Sequence, residues 1–280
     1  MKRIDLHTHS NLSDGTCPPR EVVRLASRAD VTLLALTDHD TMDGVCEAQD
    51  AGEALGVVVL PSVELDCQWP EELHILGLDM DPEHPRLVQA LELARSRRNK
   101  RNKIILERLQ QMGCDIWDAM PPMGGKGSIG RLHMALALCQ KGYAQDVREA
   151  FRCYLRQGAP GYYEERKFSP EEAIQTILDA GGIPVLAHPC HLRLDPHQTV
   201  KKLVDMGIKG LEAYYPSSTL GQQNLFTSLA EQYHLLVTCG SDFHGQNRVG
   251  VPLGCAWRDV PGLLQTEEHL LQHHAKYHRH

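Results

Sequence analysis

Short apolar runs alternate along this chain with longer stretches in which apolar residues recur every three to four positions. The runs predict seven buried strands, at residues 4–6, 31–36, 56–60, 73–78, 183–187, 210–214 and 235–239. Helix-like stretches separate most of them, and the first contains Val22, Val23 and Ala26 after a helix-starting proline pair. This alternation predicts an α/β fold with a parallel, barrel-like sheet that has one strand fewer than the usual eight.

The interval between His74 and His188 is too long for a single crossover between neighbouring strands. Within it, residues 85–112 have the periodicity of one long helix, and shorter helices are predicted near 131–140 and 146–157. We therefore expect a helical cap domain at residues 85–165, inserted into a barrel that residues 1–84 and 166–280 form together.

Histidine and acidic residues stand at the carboxyl ends of the predicted strands: His7, His9, Asp38, His39, Glu64, His188, Asp242 and His244. The two-residue period of a strand places the first two histidines on one face, and a Ser13-Asp14-Gly15 turn can return Asp14 to the same point. Because the carboxyl ends of barrel strands open at one mouth, these residues predict a metal site there rather than scattered, solvated side chains.

Composition and charge exclude several classes of function. The net charge of −7 argues against a general nucleic-acid coat, and the 5% aromatic content argues against extensive base-stacking platforms. The nine cysteines are scattered and never spaced Cys-x-x-Cys, which favours free thiols in a reducing compartment. With no signal segment and no bilayer-spanning run, we expect a cytoplasmic protein with neither a membrane nor a DNA partner.

These segments resemble the PHP (polymerase and histidinol phosphatase) domain family. The resemblance is carried by His7-x-His9, Ser13-Asp14-Gly15, Thr37-Asp38-His39, Glu64, His74, Ala187-His188-Pro189 and Ser241-Asp242-x-His244. It implies a distorted seven-stranded (β/α)7 TIM-like barrel that holds up to three divalent metals and hydrolyses phosphoesters.

The resemblance also implies a set of metal ligands. It places His7, His9, Glu64 and Asp242 on a first ion, His74 and His188 on a second ion that Glu64 bridges, and Asp14, His39 and His244 on a third. These ligands suit Mn²⁺, Zn²⁺ or Fe²⁺ better than Ca²⁺, and we expect two to three ions, with Mn²⁺ as the first candidate. Asp38 is expected to orient a ligand imidazole. The predicted catalytic residues are Glu64, Asp242 and His188, on the hypothesis that a metal-activated hydroxide attacks phosphorus.

The predicted cap contains a glycine-rich segment, Gly124-Gly125-Lys126-Gly127-Ser128-Ile129-Gly130-Arg131. A P-loop is rejected because Gly127 replaces the Ser or Thr that would hold Mg²⁺. A loop that leads into a helix N-terminus, where Ser128 and Arg131 bind an anion, competes with a flexible loop that ends in an ordinary cap.

The segment Gly130-Arg131-Leu132-His133 resembles the Gly-Arg-Pro-His motif of one PHP branch, which contains 3′,5′-nucleoside bisphosphate phosphatases and 5′→3′ exoribonucleases. Here a leucine replaces the proline of that motif. The resemblance implies that Arg131, with Ser128 and Lys126, holds a second phosphate of the substrate. His133 is either a further phosphate contact or a histidine on the helix surface.

A dense basic run lies on the predicted long helix: Arg95, Arg97, Arg98, Lys100, Arg101 and Lys103. Such a run is usually a solvated face, and the alternative is a track for the backbone of a short RNA.

The sequence therefore predicts a metal-dependent phosphoesterase that acts on 3′,5′-bisphosphorylated nucleotides, with the 5′ ends of short RNA as further substrates. A phosphomonoesterase for another small metabolite, such as histidinol phosphate, is the alternative enzyme. A metal-binding PHP module without catalysis is the alternative outside the enzymes, and metal content without turnover would identify it.

Overall fold

Nine strands form two sheets in the computed structural model, which describes residues 2–122, 125–254, 256–257 and 260–277. The strands are β1 (Arg3–Thr8), β2 (Val31–Leu36), β3 (Val58–Pro61), β4 (Val63–Cys67), β5 (Leu73–Leu78), β6 (Ile183–Leu186), β7 (Gly210–Tyr214), β8 (Leu236–Cys239) and β9 (Ala256–Trp257). The α-helices are α1 (Pro19–Arg28), α2 (Val45–Leu55), α3 (Pro85–Gln111), α4 (Arg131–Gln140), α5 (Val147–Ala150), α6 (Pro170–Asp179), α7 (Pro196–Met206), α8 (Leu220–Gln232) and α9 (Leu263–Tyr277).

The first sheet has the order β3-β2-β1-β9, and the second has the order β4-β5-β6-β7-β8. Neighbouring strands are parallel except at β1–β9, β4–β5 and β5–β6. Two isolated bridges, Thr8 with Phe243 and His39 with Glu64, connect the ends of one sheet to the other. The predicted α/β class is confirmed, whereas a single seven-stranded parallel barrel is not.

Each of the seven predicted strands is present, and β4 and β9 are additional. The prediction placed Glu64 in the segment that follows the third strand, but Glu64 lies inside β4 and pairs with Leu76 of β5. Proline at position 61 ends β3, and the chain resumes an extended path two residues later. Glu64 therefore reaches the site from an antiparallel hairpin rather than from a parallel strand end.

One apolar core lies between the two sheets. It combines Ile4 and Leu33 of the first sheet with Leu76 and Val185 of the second, all fully or almost fully buried. Helices cover the outer faces, so that α1 packs through Val22, Val23 and Ala26 against β2. Among the described residues, none of the helices combines the length and the apolar composition that a bilayer crossing requires.

The long helix α3 contributes to two different cores. Its first half packs Leu87 and Leu91 against the second sheet and α6. Its second half packs Leu106 and Leu109 against Met134 of α4 in a separate cluster. The predicted shorter helices are also found, as α4 and as α5 continued by π-helical residues Phe151–Leu155.

Candidate metal centre

The imidazoles of His7 and His9 converge at the end of β1, where their Nε2 atoms lie 3.1 Å apart. Both side chains are completely buried. Oδ1 of Asp242 lies 3.5 Å from Nε2 of His7 and 3.2 Å from Nε2 of His9. Oε2 of Glu64 lies 3.4 Å and 3.3 Å from the same two nitrogens. The structure thus brings together the four side chains predicted to hold the first ion.

Glu64 uses its second carboxylate oxygen on the other side. Oε1 lies 2.9 Å from Nδ1 of His74 and 3.2 Å from Nε2 of His188. Since Oε2 faces His7 and His9, the carboxylate stands between two imidazole pairs. This is the arrangement that a carboxylate bridging two ions requires.

The third predicted group lies on the flank of His9. Oδ1 of Asp14 is 3.0 Å from Nε2 of His244, and its Oδ2 is 3.7 Å from Nε2 of His39. His39 also places Nδ1 3.1 Å from Oε2 of Glu64. Within the part of the chain that the structure describes, potential ligand atoms form three overlapping sets: His9, Asp14, His39 and His244; His7, His9 and Asp242; and His39, Glu64 and His74.

Two of these residues have a left-handed backbone. His188 has a φ of 30° and Asp242 a φ of 52°. Such conformations cost on the order of 1–3 kcal/mol each in residues other than glycine. They turn the chain directly after β6 and β8 and direct both side chains towards Glu64, His7 and His9.

Burial and neighbouring charges shift the pKa values of His9 and Glu64 in opposite directions. Burial lowers the pKa of His9, but its hydrogen bonds to Asp242 and Glu64 outweigh this effect and raise the pKa to about 10. Burial would raise the pKa of Glu64, but the neighbouring imidazoles, His39 first, hold it well below its usual range. The pKa values of His7 and His74 are raised as well, whereas burial lowers the pKa of His39, so the positive charge that favours the ionised carboxylates lies mainly on His7, His9 and His74.

The donor set fits divalent metal ions. Oδ1 of Asp14 and Nδ1 of His39 are buried and make no hydrogen bond within the described part of the chain. Each lies close to a polar atom, Asp14 Oδ1 to Nε2 of His244 at 3.0 Å and His39 Nδ1 to Oε2 of Glu64 at 3.1 Å, but without the geometry of a hydrogen bond. Buried polar atoms are normally satisfied, so both atoms remain able to bind a cation. A cation bound among the imidazole nitrogens and carboxylate oxygens would satisfy both atoms.

Carboxylates outside the predicted ligand set also border this cluster. Asp38 accepts hydrogen bonds from the Ser10 amide at 2.7 Å and the Ser13 hydroxyl at 2.5 Å. Within the described residues it forms no hydrogen bond or ion pair with an imidazole, and it is connected to His9 through Ser13, whose Oγ is 3.3 Å from Nδ1. Glu212 of β7 does contact a ligand-type imidazole directly, with Oε1 3.1 Å from Nδ1 of His7.

Sequence reasoning missed Glu212 and also Asp66, whose Oδ1 lies 3.2 Å from Nε2 of His74. Both are acidic residues inside strands that are otherwise apolar or buried. For Glu212, which lies in a predicted strand, that position was the available signal, because an acidic side chain is rarely buried in a strand without a partner. Asp66 lies in β4, which was not predicted, so the same signal was not available for it.

The predicted phosphate-binding residues of the segment between β5 and α6 separate into two places. Ser128 is buried, donates its amide to Leu12 O at 2.6 Å and leaves its hydroxyl without a partner in the described residues, whereas Lys126 is exposed. His133 is half-buried and accepts a hydrogen bond at Nδ1 from the Gly130 amide at 3.1 Å, so it caps α4. Gly124 lies outside the described residues.

Arg131 lies instead in a cavity of about 450 Å³ beside the centre. Arg98 and Arg101 of α3 line this cavity, together with Tyr162 and with Asp66, the neighbour of His74. Ser128, Lys126 and His133 do not line it.

The geometry agrees with comparisons to known proteins. The profile of the PHP domain family matches residues 5–164. A protein of Chromobacterium violaceum named 3′,5′-nucleoside bisphosphate phosphatase is 35% identical over 95% of this chain and 95% of its own length. A 5′-3′ exoribonuclease of Haemophilus influenzae is 34% identical over 87% of this chain and 90% of its own. A Bifidobacterium adolescentis crystal structure, proposed to be a metal-dependent phosphoesterase, superimposes with a TM-score of 0.86 and 29% identity, over 97% of this chain and 96% of that one.

Proposed function

We propose that this chain, which belongs to the PHP domain family and is a metal-dependent phosphoesterase, hydrolyses 3′,5′-bisphosphorylated nucleotides and the 5′ ends of short RNAs. The observation that carries this proposal is the position of Glu64. One of its oxygens faces His7 and His9, and the other faces His74 and His188. The substrate class follows the names of the Chromobacterium and Haemophilus relatives.

The proposed ligands are those implied by the family. His7, His9, Glu64 and Asp242 would hold a first ion, Glu64, His74 and His188 a second, and Asp14, His39 and His244 a third. We propose two to three ions and Mn²⁺ as the physiological metal, with Zn²⁺ and Fe²⁺ as alternatives. Bound divalent ions lower the pKa of water and neutralise the charge of phosphate oxygens.

The chain's own residues fix the geometry of the site. Glu212 accepts the Nδ1 proton of His7, which leaves the Nε2 lone pair of His7 directed into the cluster. Ser13, held by Asp38, contacts Nδ1 of His9 in the same way. Glu64, Asp242 and His188 are the proposed catalytic residues, because Glu64 contacts His188 through Oε1 and lies, like Asp242, beside Nε2 of His7 and His9.

We further propose that residues 85–165 are a cap over the mouth of a seven-stranded PHP barrel formed by residues 1–84 and 166–280. The separate core of Leu106, Leu109 and Met134 supports this division. The cap is held to the barrel where Gly127 donates its amide to Asp43 at 2.7 Å. A cytoplasmic location is proposed because the eight described cysteines are all free thiols.

Phosphate release by the Mn²⁺-loaded protein tests the proposal. Adenosine 3′,5′-bisphosphate, adenosine 5′-monophosphate, histidinol phosphate and a 5′-phosphorylated RNA oligomer serve as substrates. We expect the highest kcat/KM with the bisphosphate and measurable release of mononucleotides from the RNA. Equal or higher kcat/KM with histidinol phosphate would favour the alternative phosphomonoesterase, and metal binding without turnover on any substrate would identify a non-catalytic module.

A further inference from the structure

The glycine-rich segment before α4 contacts the loops that follow β1 and β2. Gly127 donates its amide to Oδ2 of Asp43 at 2.7 Å, and Ser128 donates its amide to Leu12 O at 2.6 Å. Gly127 and Ser128 are buried, and neither lines the cavity in which Arg131 lies. We call residues 125–128 the strap, because they connect the proposed cap to these two loops.

The close approach of the strap to the loop after β1 depends on Gly127. This residue has a φ of 87°, and a Cβ atom at its position would lie 2.4 Å from Leu12 O and 3.1 Å from Leu12 Cα. Both are backbone atoms, which cannot rotate away as the end of a long side chain can. Glycine adopts a positive φ without steric cost and brings no Cβ, so it lets Ser128 donate to Leu12.

Asp43 anchors the strap to the loop after β2. Its Oδ2 accepts a second hydrogen bond of 2.7 Å from Nη2 of Arg95 in α3. The Asp43 side chain is only one-quarter exposed, so this ion pair is shielded better than one on the open surface. One carboxylate oxygen therefore fixes both the strap and α3 relative to the loop after β2.

The turn that the strap contacts supplies Asp14. Within this turn, the Ser13 amide donates to Ser10 O at 3.2 Å. The carbonyl of Leu12 belongs to the peptide that leads into Ser13, and this carbonyl accepts the amide of Ser128. The strap therefore holds the chain two residues before Asp14.

Two further contacts hold the same turn without the strap. Oδ1 of Asp38 accepts a hydrogen bond of 2.5 Å from the Ser13 hydroxyl, and Nδ2 of Asn247 donates to Asp14 O at 2.7 Å. Because these contacts remain when the strap is displaced, we expect the turn to stay folded. The property that should change is the precision with which the Asp14 carboxylate is placed.

We propose that the strap positions Asp14 against His39 and His244, so that the affinity of the third ion depends on the docking of the cap. This inference rests on the ligand set of the proposed function. Gly127 and Asp43 are positioning residues, since they act on the ion only through the turn. Loss of an outer contact of a metal ligand typically weakens metal binding 10- to 100-fold.

Titration of chelator-treated protein with Mn²⁺, with the bound ions counted, tests the strap. We expect three ions in wild type, and Gly127→Ala should weaken the third at least about tenfold while the other two bind within about twofold of wild type. The control is Gly113→Ala, where φ is 80° but no described atom lies within 4 Å of the new Cβ. It has the same backbone strain and should bind all three ions normally. Equal weakening of all three ions by Gly127→Ala, or equal effects of the two variants, would overturn the proposal.

A second variant, Asp43→Ala, releases the strap without placing a side chain against Leu12. It should also weaken the third ion at least about tenfold, and phosphate release should recover at saturating Mn²⁺, which a general loss of structure would prevent. Asp50→Ala on the exposed side of α2 is the matched control and should bind three ions normally. If thermal melting shows that Gly127→Ala does not fold, this pair decides, and unchanged third-ion affinity in Asp43→Ala would contradict the strap.

The variant Asp14→Ala distinguishes failure of the strap from failure of the proposed ligand set. If Asp14→Ala loses one ion but Gly127→Ala and Asp43→Ala bind three normally, the strap is wrong and the ligand set stands. If wild type binds only two ions, or Asp14→Ala still binds three, Asp14 does not hold a third ion and the strap proposal fails with that assignment. Phosphate release from the bisphosphate by wild type would still support the proposed function in either case.

Discussion

The hydroxyl of Tyr215 donates a hydrogen bond of 2.7 Å to Oδ2 of Asp242, on the side of the carboxylate that faces away from His7 and His9. Arg248 donates to the same oxygen and lies over the ring of Tyr215, 5.0 Å from its centroid. Oδ1 is left facing the two imidazoles. The two oxygens of Asp242 thus have separate partners, and Tyr215 and Arg248 determine which one points into the cluster.

The change Tyr215→Phe removes the orienting hydroxyl and keeps the ring. We expect Mn²⁺ affinity to fall about 10- to 100-fold, the range found when an outer partner of a metal ligand is lost. Titration of the chelated protein with Mn²⁺ measures this, and kcat should recover at saturating metal. The control is Tyr214→Phe, whose hydroxyl bonds Pro261 O at 3.0 Å, and which should bind metal as wild type does. Unchanged Mn²⁺ affinity in Tyr215→Phe would exclude the orienting role.

The change Glu64→Gln tests the carboxylate between the two imidazole pairs. The amide keeps the shape of the side chain but loses the charge and one acceptor oxygen. We expect phosphate release to fall by more than about 100-fold, beyond the effect of outer contacts, while the protein still unfolds cooperatively. Glu53→Gln on the exposed side of α2 is the matched control and should retain activity. Activity near wild type in Glu64→Gln would refute the bridging role.

The strands and the gathering of histidines were predictable for a physical reason. A period of two fixes which face His7 and His9 share, and parallel strand ends meet at one mouth, so local sequence specified their neighbourhood. Their role as ligands stays a prediction. Glu212 was missed because it is a single acidic residue inside a strand, and Asp66 because β4 was not predicted; only tertiary structure shows which histidine each one faces. Burial of Arg101 was equally hidden, since a helix with six cations in nine residues resembles a solvated surface.

Removing the metal should affect stability and activity together. Chelation is expected to abolish phosphate release and to lower the melting temperature, because an ion that binds only the folded state stabilises it by about 2.7 kcal/mol at 100 times its dissociation constant. Mn²⁺ should restore both properties. Ca²⁺ should restore them less, since it prefers oxygen ligands and most of the proposed ligands are imidazoles. Full activity in the presence of excess chelator would contradict a metal-dependent mechanism.

Gly240 allows the end of β8 to approach β1 closely. A Cβ atom at this position would lie 2.1 Å from Cβ of His7 and 2.2 Å from Oε1 of Glu212, the carboxylate that holds His7. Neither neighbour can move without displacing the imidazole from the cluster. We therefore expect Gly240→Ala to cost about 1–3 kcal/mol of unfolding free energy, the usual cost of overpacking, and to weaken Mn²⁺ binding as well.

The matched substitution for this test is Gly221→Ala in α8, where the nearest atom to a new Cβ is 4.0 Å away. It should be neutral or stabilising by up to about 1 kcal/mol, because alanine favours the helix. Denaturant unfolding of both variants gives the comparison, and Mn²⁺ titration shows whether the lost stability is coupled to the site. If Gly240→Ala were as stable as Gly221→Ala and bound metal normally, close contact between β8 and His7 would not position the imidazole.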